Sequence, residues 1–187
     1  MGTIKATNIE PIADNGTVTL GSSGDTFSLG SGVVQSNLNY PAFLVRRNAS
    51  VSAQTDNTYF KIEFDAEDYD TDNIFDSSTN YRATIPSGKA GKYFIYASCQ
   101  CHKGSDDNSG LNRGYIAIYK NGSIHTQMLT ALESNPAKRF QMNVHAALDL
   151  AASDYIEIYA ASDVDSGNAN IRINTNNTYF GMFRIGT

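Results

Sequence analysis

The sequence predicts an all-β protein, an antiparallel sandwich or jelly roll, on three observations. Apolar and polar residues alternate with period two over most of the chain from Phe60 onward. The alternating runs are short and are separated by Gly, Asn, Ser and Pro clusters that suit tight turns. No window carries a convincing 3.6-residue apolar stripe, so nothing competes as an amphipathic helix.

Residues 1–40 are thin in apolar side chains: Ile4 to Ile12 suits one short strand or turn, and Val18 to Leu20 and Phe27 to Leu29 suit three-residue strandlets around a Gly-Ser-rich turn. Within Asn15 to Gly32, Val18, Leu20, Phe27 and Leu29 are the only anchors, and such strandlets are too small to enclose a core within one chain. They are expected to be buried on an axis shared with other copies or against a larger partner. Phe60-x-Ile62-x-Phe64 reads as a half-buried strand, with Lys61 and Glu63 on the opposite face. Tyr81 to Ile85, Lys92 to Cys101, Gly114 to Lys120, Ile124 to Leu129 and Phe140 to Leu150 are further strands, followed by Tyr155 to Tyr159, Ile171 to Ile173 and Thr178 to Ile185. Asn121-Gly122, between Tyr119 and Ile124, is a hairpin signal, because both residues tolerate positive φ. Met128 to Lys138 is broken by Pro136 and reads as a long loop.

Composition excludes several classes of function. A net charge of −5 with scattered Lys and Arg does not suit a phosphate backbone, so no nucleic-acid partner is expected. No apolar run reaches the roughly 18 residues of a membrane span, and the opening residues lack the apolar core of a secretory signal. No membrane insertion is therefore expected, and the protein is made in a cytoplasm or its signal has been removed. Cys99 and Cys101 sit two apart on one predicted strand, where a disulfide would be strained; two small buried thiols are expected.

Catalysis has few candidates. His102, His125 and His145 fall on different predicted strands with no motif around them, and no nucleophile and base are placed together, so no enzyme activity is expected. The acidic stretch Asp65 to Asn73 reads as a loop. Within it Asp68, Asp70 and Asp72 carry the alternate spacing of oxygen ligands for calcium, and Asp76 falls where a further ligand could lie. The sixth position is Asn73 rather than Gly and the twelfth is Thr79 rather than Glu, which does not support a helix-loop-helix calcium site. A solvated acidic loop and a bound calcium ion are both open readings.

Several motifs occur in order: Pro41 to Arg47, Tyr81 to Cys99 with Ile85-Pro86 and Gly91-Lys92-Tyr93-Phe94, Ile116 to Ser123, Leu148 to Ala160, and Tyr179 to Phe183. Together they resemble the globular head shared by complement-1q and tumour-necrosis-factor ligands over residues 41–187. The resemblance implies a ten-stranded jelly roll that assembles as a homotrimer, one sheet of each subunit facing the three-fold axis, sometimes with calcium near that axis. Two departures stand out: Ile85 replaces a common Phe, and Ser153-Asp154 replaces Gly-Asp. The opening, Gly2 to Ala6 and then Asn15 to Thr26, is similar to the N-terminal attachment segments of small fibre and appendage proteins of tailed bacteriophages.

The combined expectation is a trimeric virion protein, with an attachment and trimerisation segment over 1–40 and a jelly-roll head over 41–187. Its partners would be other virion proteins through Val18, Leu20, Phe27 and Leu29, and a host-surface receptor, carbohydrate among the options, through the head. Tyr115, Tyr119, Tyr155 and Tyr159 face away from the Ile core residues and, with Tyr179 and Phe183, are candidates for the subunit contact. The alternatives are a capsid head fibre or decoration protein, and a soluble secreted tumour-necrosis-factor-like or lectin-like trimer.

Overall fold

The computed structural model describes residues 41–48, 51–103, 110–132, 137–166, 169–172 and 177–186, with the isolated positions 9, 18, 19, 21, 22, 26 and 31; at 51–53 and 169–172 only the backbone is described. The chain divides into two compact units, Met1–Leu38 and Asn39–Thr187.

The second unit holds the thirteen strands found among the described residues. They are β1 Ala42–Arg46, β2 Val51–Gln54, β3 Phe60–Lys61, β4 Ala66–Asp70, β5 Phe75–Asp76, β6 Arg82–Thr84, β7 Gly91–Lys103, β8 Leu111–Lys120, β9 Ser123–Ala131, β10 Arg139–Leu150, β11 Tyr155–Val164, β12 Ala169–Arg172 and β13 Tyr179–Gly186. The first sheet has the order β2-β12-β7-β13-β1-β4, with β10 also paired to β7; the second has β5-β6-β11-β8-β9, with β3 on β11. All pairings are antiparallel.

The two inner faces enclose one core. From the first sheet come Phe43, Val45, Ile95, Met142, Val144, Phe180 and Met182; from the second come Ile116, Ile118, Ile156 and Ile158. The predicted inward residues Ile116, Ile118, Ile156, Ile158 and Phe180 are all buried. Phe180 is the centre of an aromatic cluster, edge-on to Phe43 at 4.9 Å and 5.6 to 5.8 Å from Phe64 and Phe75. Such offset and edge contacts add to the burial of the rings themselves. Cys99 and Cys101 are free and buried, and the Ser162 hydroxyl donates to the Cys101 sulfur at 3.0 Å. Its neighbour Cys101, together with burial, pushes the Cys99 thiol well above its ordinary pKa, so it stays protonated and unreactive.

The Asn121-Gly122 hairpin forms as predicted. Both residues have positive φ, 52° and 79°, the pair a two-residue primed turn requires, and Lys120 pairs with Ser123 across it. The turn is tied to the start of β11: Asn121 Nδ2 donates to Asp154 Oδ1 at 2.7 Å, and the Tyr155 amide donates to Asn121 Oδ1 at 2.9 Å. Ser153, at the position where the resembled family has Gly, takes φ of 71°. A serine there carries the strain that glycine would avoid.

Three expectations change. The acidic stretch is not simply a loop: Ala66–Asp70 is the edge strand beside β1, because backbone pairing there outweighs the poor strand propensity of its carboxylates. The run Phe60 to Phe64 is a strand only at Phe60–Lys61, although Ile62 and Phe64 keep the predicted inward face and are fully buried. The strand of the hairpin's second arm runs through Ala131, into the window read as a loop, because β8 supplies a ladder partner as far as Arg113.

Candidate functional site

A sandwich with a complete core can still present apolar groups outward, and this one does so on both sheets. On the first sheet, Tyr69, Leu44, Gly181, Tyr96 and His145 lie in one row across β4, β1, β13, β7 and β10. The next row is Ala42, Phe183, Phe94 and Ala147, and on the other side Arg46, Tyr179, Ser98 and Asn143. Phe94, Tyr96, Tyr179 and Phe183 form a connected ring cluster with centroids 5.5 to 6.4 Å apart. Gly181 makes this surface flat: a Cβ there would stand 2.3 Å from the Tyr96 ring, so only glycine lets that ring lie across β13. Phe183 and Ile185 are 41% and 51% exposed, unusual for such side chains on a face with this many aromatic neighbours. Leu44, Arg46, Tyr96 and Tyr179 line a depression of about 320 Å³ on this face. Burial, with Tyr69 alongside as charge and hydrogen-bond partner, pushes the Tyr96 hydroxyl up to about 12, so it stays a neutral donor.

The second sheet has its own outward rows: Leu129, Tyr115 and Ala161; Gln127, Ala117, Tyr159 and Lys61; Ile124, Tyr119 and Glu157. Tyr119 and Tyr159 stack at 4.0 Å and 27°, and Tyr59 lies 5.9 Å from Tyr115 and 6.2 Å from Tyr119. The Tyr59 hydroxyl donates to Gln127 Oε1 at 2.8 Å. Tyr155 lies apart from this group, under the Arg82 guanidinium at 4.2 Å.

The six predicted contact residues thus divide. Tyr179 and Phe183 lie on the first sheet, Tyr115, Tyr119, Tyr155 and Tyr159 on the second, on opposite outer faces of the sandwich. No single face-on contact takes all six. Sequence reading missed Phe94, Tyr96 and Leu44 on the first face and Tyr59 on the second. The signal existed: Tyr93-Phe94-Ile95-Tyr96-Ala97 is apolar at both parities, the mark of a strand with both sides covered.

The acidic candidates are engaged separately. Asp68 pairs with Arg46 at 2.7 Å, Asp70 accepts from the Phe75 amide at 2.8 Å, and Asp72 pairs with Lys89 at 3.1 Å. Asp76 accepts from the amides of Ser78, Thr79 and Asn80 and from the Asn80 side chain. Those amide hydrogen bonds hold its carboxyl far below the usual carboxylate range, which denies it a role as proton donor. It lines, with Glu67, the edges of a cavity of about 370 Å³ beside β5. Among the described residues no group of three or more His, Cys, Asp or Glu side chains is placed to hold a metal. Val18 is 40% exposed, whereas Leu20, Phe27 and Leu29 lie outside the described residues.

No protein-family model matches the chain, and no curated protein matches it. Solved structures do. Murine APRIL at pH 5.0 aligns with a TM-score of 0.55 and 10% identity, over 79% of this chain and 100% of that one. Eiger TNF from S. frugiperda gives 0.54 and 12%, over 79% and 93%. The globular domain of zebrafish complement 1qA gives 0.50 and 16%, over 78% and 97%. At such low identity these likenesses carry the fold alone: the chain is an all-β antiparallel jelly roll of the tumour-necrosis-factor and complement-1q kind.

Proposed function

We propose that this protein is a homotrimeric recognition head of a bacteriophage virion, a tail fibre or appendage protein whose jelly roll binds the host surface and whose first forty residues attach it to the particle. The observation that carries the trimer is the flat aromatic face of the first sheet, exposed on a domain whose core is already closed. A three-fold ring uses a heterologous contact, so each subunit needs two different complementary patches. The Phe94, Tyr96, Tyr179 and Phe183 face is one. The β9 and β10 side of the sandwich, where Met128 is about half exposed, supplies the other. On this reading the subunit contact uses Tyr179 and Phe183 and leaves the tyrosines of the second sheet free.

Virion attachment is supported by the likeness of the opening segment to phage attachment segments. A trimer that binds a repetitive cell surface gains avidity without any single tight site. Light scattering tests the assembly: the full chain should have about three times its 20.3 kDa mass, and Phe183→Asp should give a folded monomer. A wild-type monomer at micromolar concentration overturns the assembly. Antibody labelling of intact particles, and inhibition of adsorption by the purified protein, test the location and the role; unlabelled tails or undiminished adsorption at saturation would count against them.

A further inference from the structure

The turn between β8 and β9 carries a dipeptide with a reaction of its own. In an Asn-Gly pair the glycine's backbone nitrogen can attack the asparagine side-chain carbonyl carbon. The N–Cγ bond forms, the side-chain nitrogen leaves as ammonia, and water then opens the cyclic imide to aspartate or isoaspartate. Glycine is the most favourable successor, because no side chain hinders its nitrogen and its backbone rotates freely. The chain has two such pairs, Asn15-Gly16 and Asn121-Gly122, and the second is exposed to water at a hairpin turn. By sequence alone, Asn121 is chemically labile.

The fold withholds that reaction. Both ends of the Asn121 side-chain amide are held by the segment that enters β11, distant in the chain: Nδ2 donates to Asp154 Oδ1 at 2.7 Å, and Oδ1 accepts from the Tyr155 amide at 2.9 Å. These two contacts fix the orientation of the side-chain amide, since a carboxylate only accepts and a backbone amide only donates. The main chain is tied at the same place, where the Asn121 amide donates to the Tyr155 carbonyl at 3.0 Å. Asp154 is itself braced by Lys120 and by the Ala151 amide, both at 2.9 Å. For attack, Cγ must swing over the Gly122 nitrogen, and that movement breaks both side-chain bonds.

We propose that Asn121 is a latent deamidation site and that Asp154 is the latch that keeps it latent. The inference is independent of what the head binds. Once the latch opens, conversion is self-reinforcing. An aspartate at 121 presents a second carboxylate where Nδ2 stood 2.7 Å from Asp154, so a charge-assisted bond becomes a repulsion. Isoaspartate also adds a carbon to the main chain, which a two-residue primed turn does not accommodate. β9, at the edge of its sheet beside β8, then loses the tie between its turn and β11.

The test follows the full chain in mildly alkaline buffer at body temperature. Peptide mapping by mass spectrometry separates Asn121 from Asn15, and isoaspartate-specific methylation reads the product. Wild-type Asn121 should convert about tenfold or more slowly than in the same chain held unfolded in urea, because two side-chain hydrogen bonds, one to a carboxylate, must break first. Asp154→Ala should speed the native-state rate about tenfold; if it does not fold, Asp154→Asn, which keeps the shape, gives the same comparison. Ile95→Val, a core change on the other sheet, should leave the rate unchanged. Asn121→Asp, which reproduces one product, should lower the urea midpoint, and Asp154→Asn added to it should restore part of the loss. Equal rates in wild type and the Asp154 variant overturn the proposal, as does equal acceleration by Ile95→Val, or wild-type conversion as fast as in urea. An Asn121→Asp protein as stable as wild type overturns the self-reinforcing step.

Discussion

Asp154 locks the β8–β9 turn to the start of β11, and its titration should be visible in stability. Its carboxylate accepts from Asn121 Nδ2 at 2.7 Å and the Ala151 amide at 2.9 Å, and it pairs with Lys120 at 2.9 Å. These partners, Asn121 foremost and then Lys120, hold its pKa down at about 2, against the ordinary 3.8. At 1.36 kcal/mol per pH unit the difference corresponds to about 2.4 kcal/mol. Solvent reaches the side chain, which is 16% exposed, so about 1–2 kcal/mol is the expectation. The sign follows from the depressed value. The unfolded chain takes up the proton first as pH falls, so the contribution is complete above about pH 5 and is lost on the way down through about pH 2. Asp154→Asn removes the charge while keeping the shape. Urea unfolding of both proteins at one fixed protein concentration, from pH 7 to pH 2.5, should show a gap of about 1–2 kcal/mol at pH 7 that narrows steadily below pH 4. Taking the difference cancels the titration of other carboxylates, Asp76 included. A gap that stays constant to pH 2.5 would refute the electrostatic account and leave only a geometric role for the side chain.

Two further perturbations probe the backbone and the core. Ser153→Gly, at φ of 71°, should raise unfolding free energy by about 0.5–1 kcal/mol, read from the urea midpoint, since relief of left-handed strain exceeds glycine's added unfolded-state entropy. Lower stability would mean that the serine side chain holds the turn. Phe180→Ala, which empties the space shared with Phe43, Phe64 and Phe75, should cost about 3–5 kcal/mol, and a loss under about 1 kcal/mol would show that the aromatic cluster collapses onto the gap.

Much of the fold is legible because a strand writes its two faces at alternate positions. Ile156 and Ile158 against Tyr155, Glu157 and Tyr159 state an inner and an outer face without ambiguity, and Asn121-Gly122 states a turn that few other pairs can make. Alternation falls silent where both parities are apolar. In Tyr93-Phe94-Ile95-Tyr96 it does not say that Tyr93 and Ile95 face the core while Phe94 and Tyr96 face outward. The carboxylates of residues 65–76 mislead for a related reason. Their spacing suits a ligand loop, but the cations that engage them, Arg46 and Lys89, arrive from distant segments.

The sequence by itself determined much of the strand and turn pattern and the inward set of each clear strand, because these depend on local backbone preferences and on the period of two. Only the tertiary structure decided which sheet each strand joins. That assignment rests on pairings between residues far apart in the chain, such as β1 with β13 and β3 with β11, and it places Tyr179 and Phe183 on one outer face and Tyr119 and Tyr159 on the other.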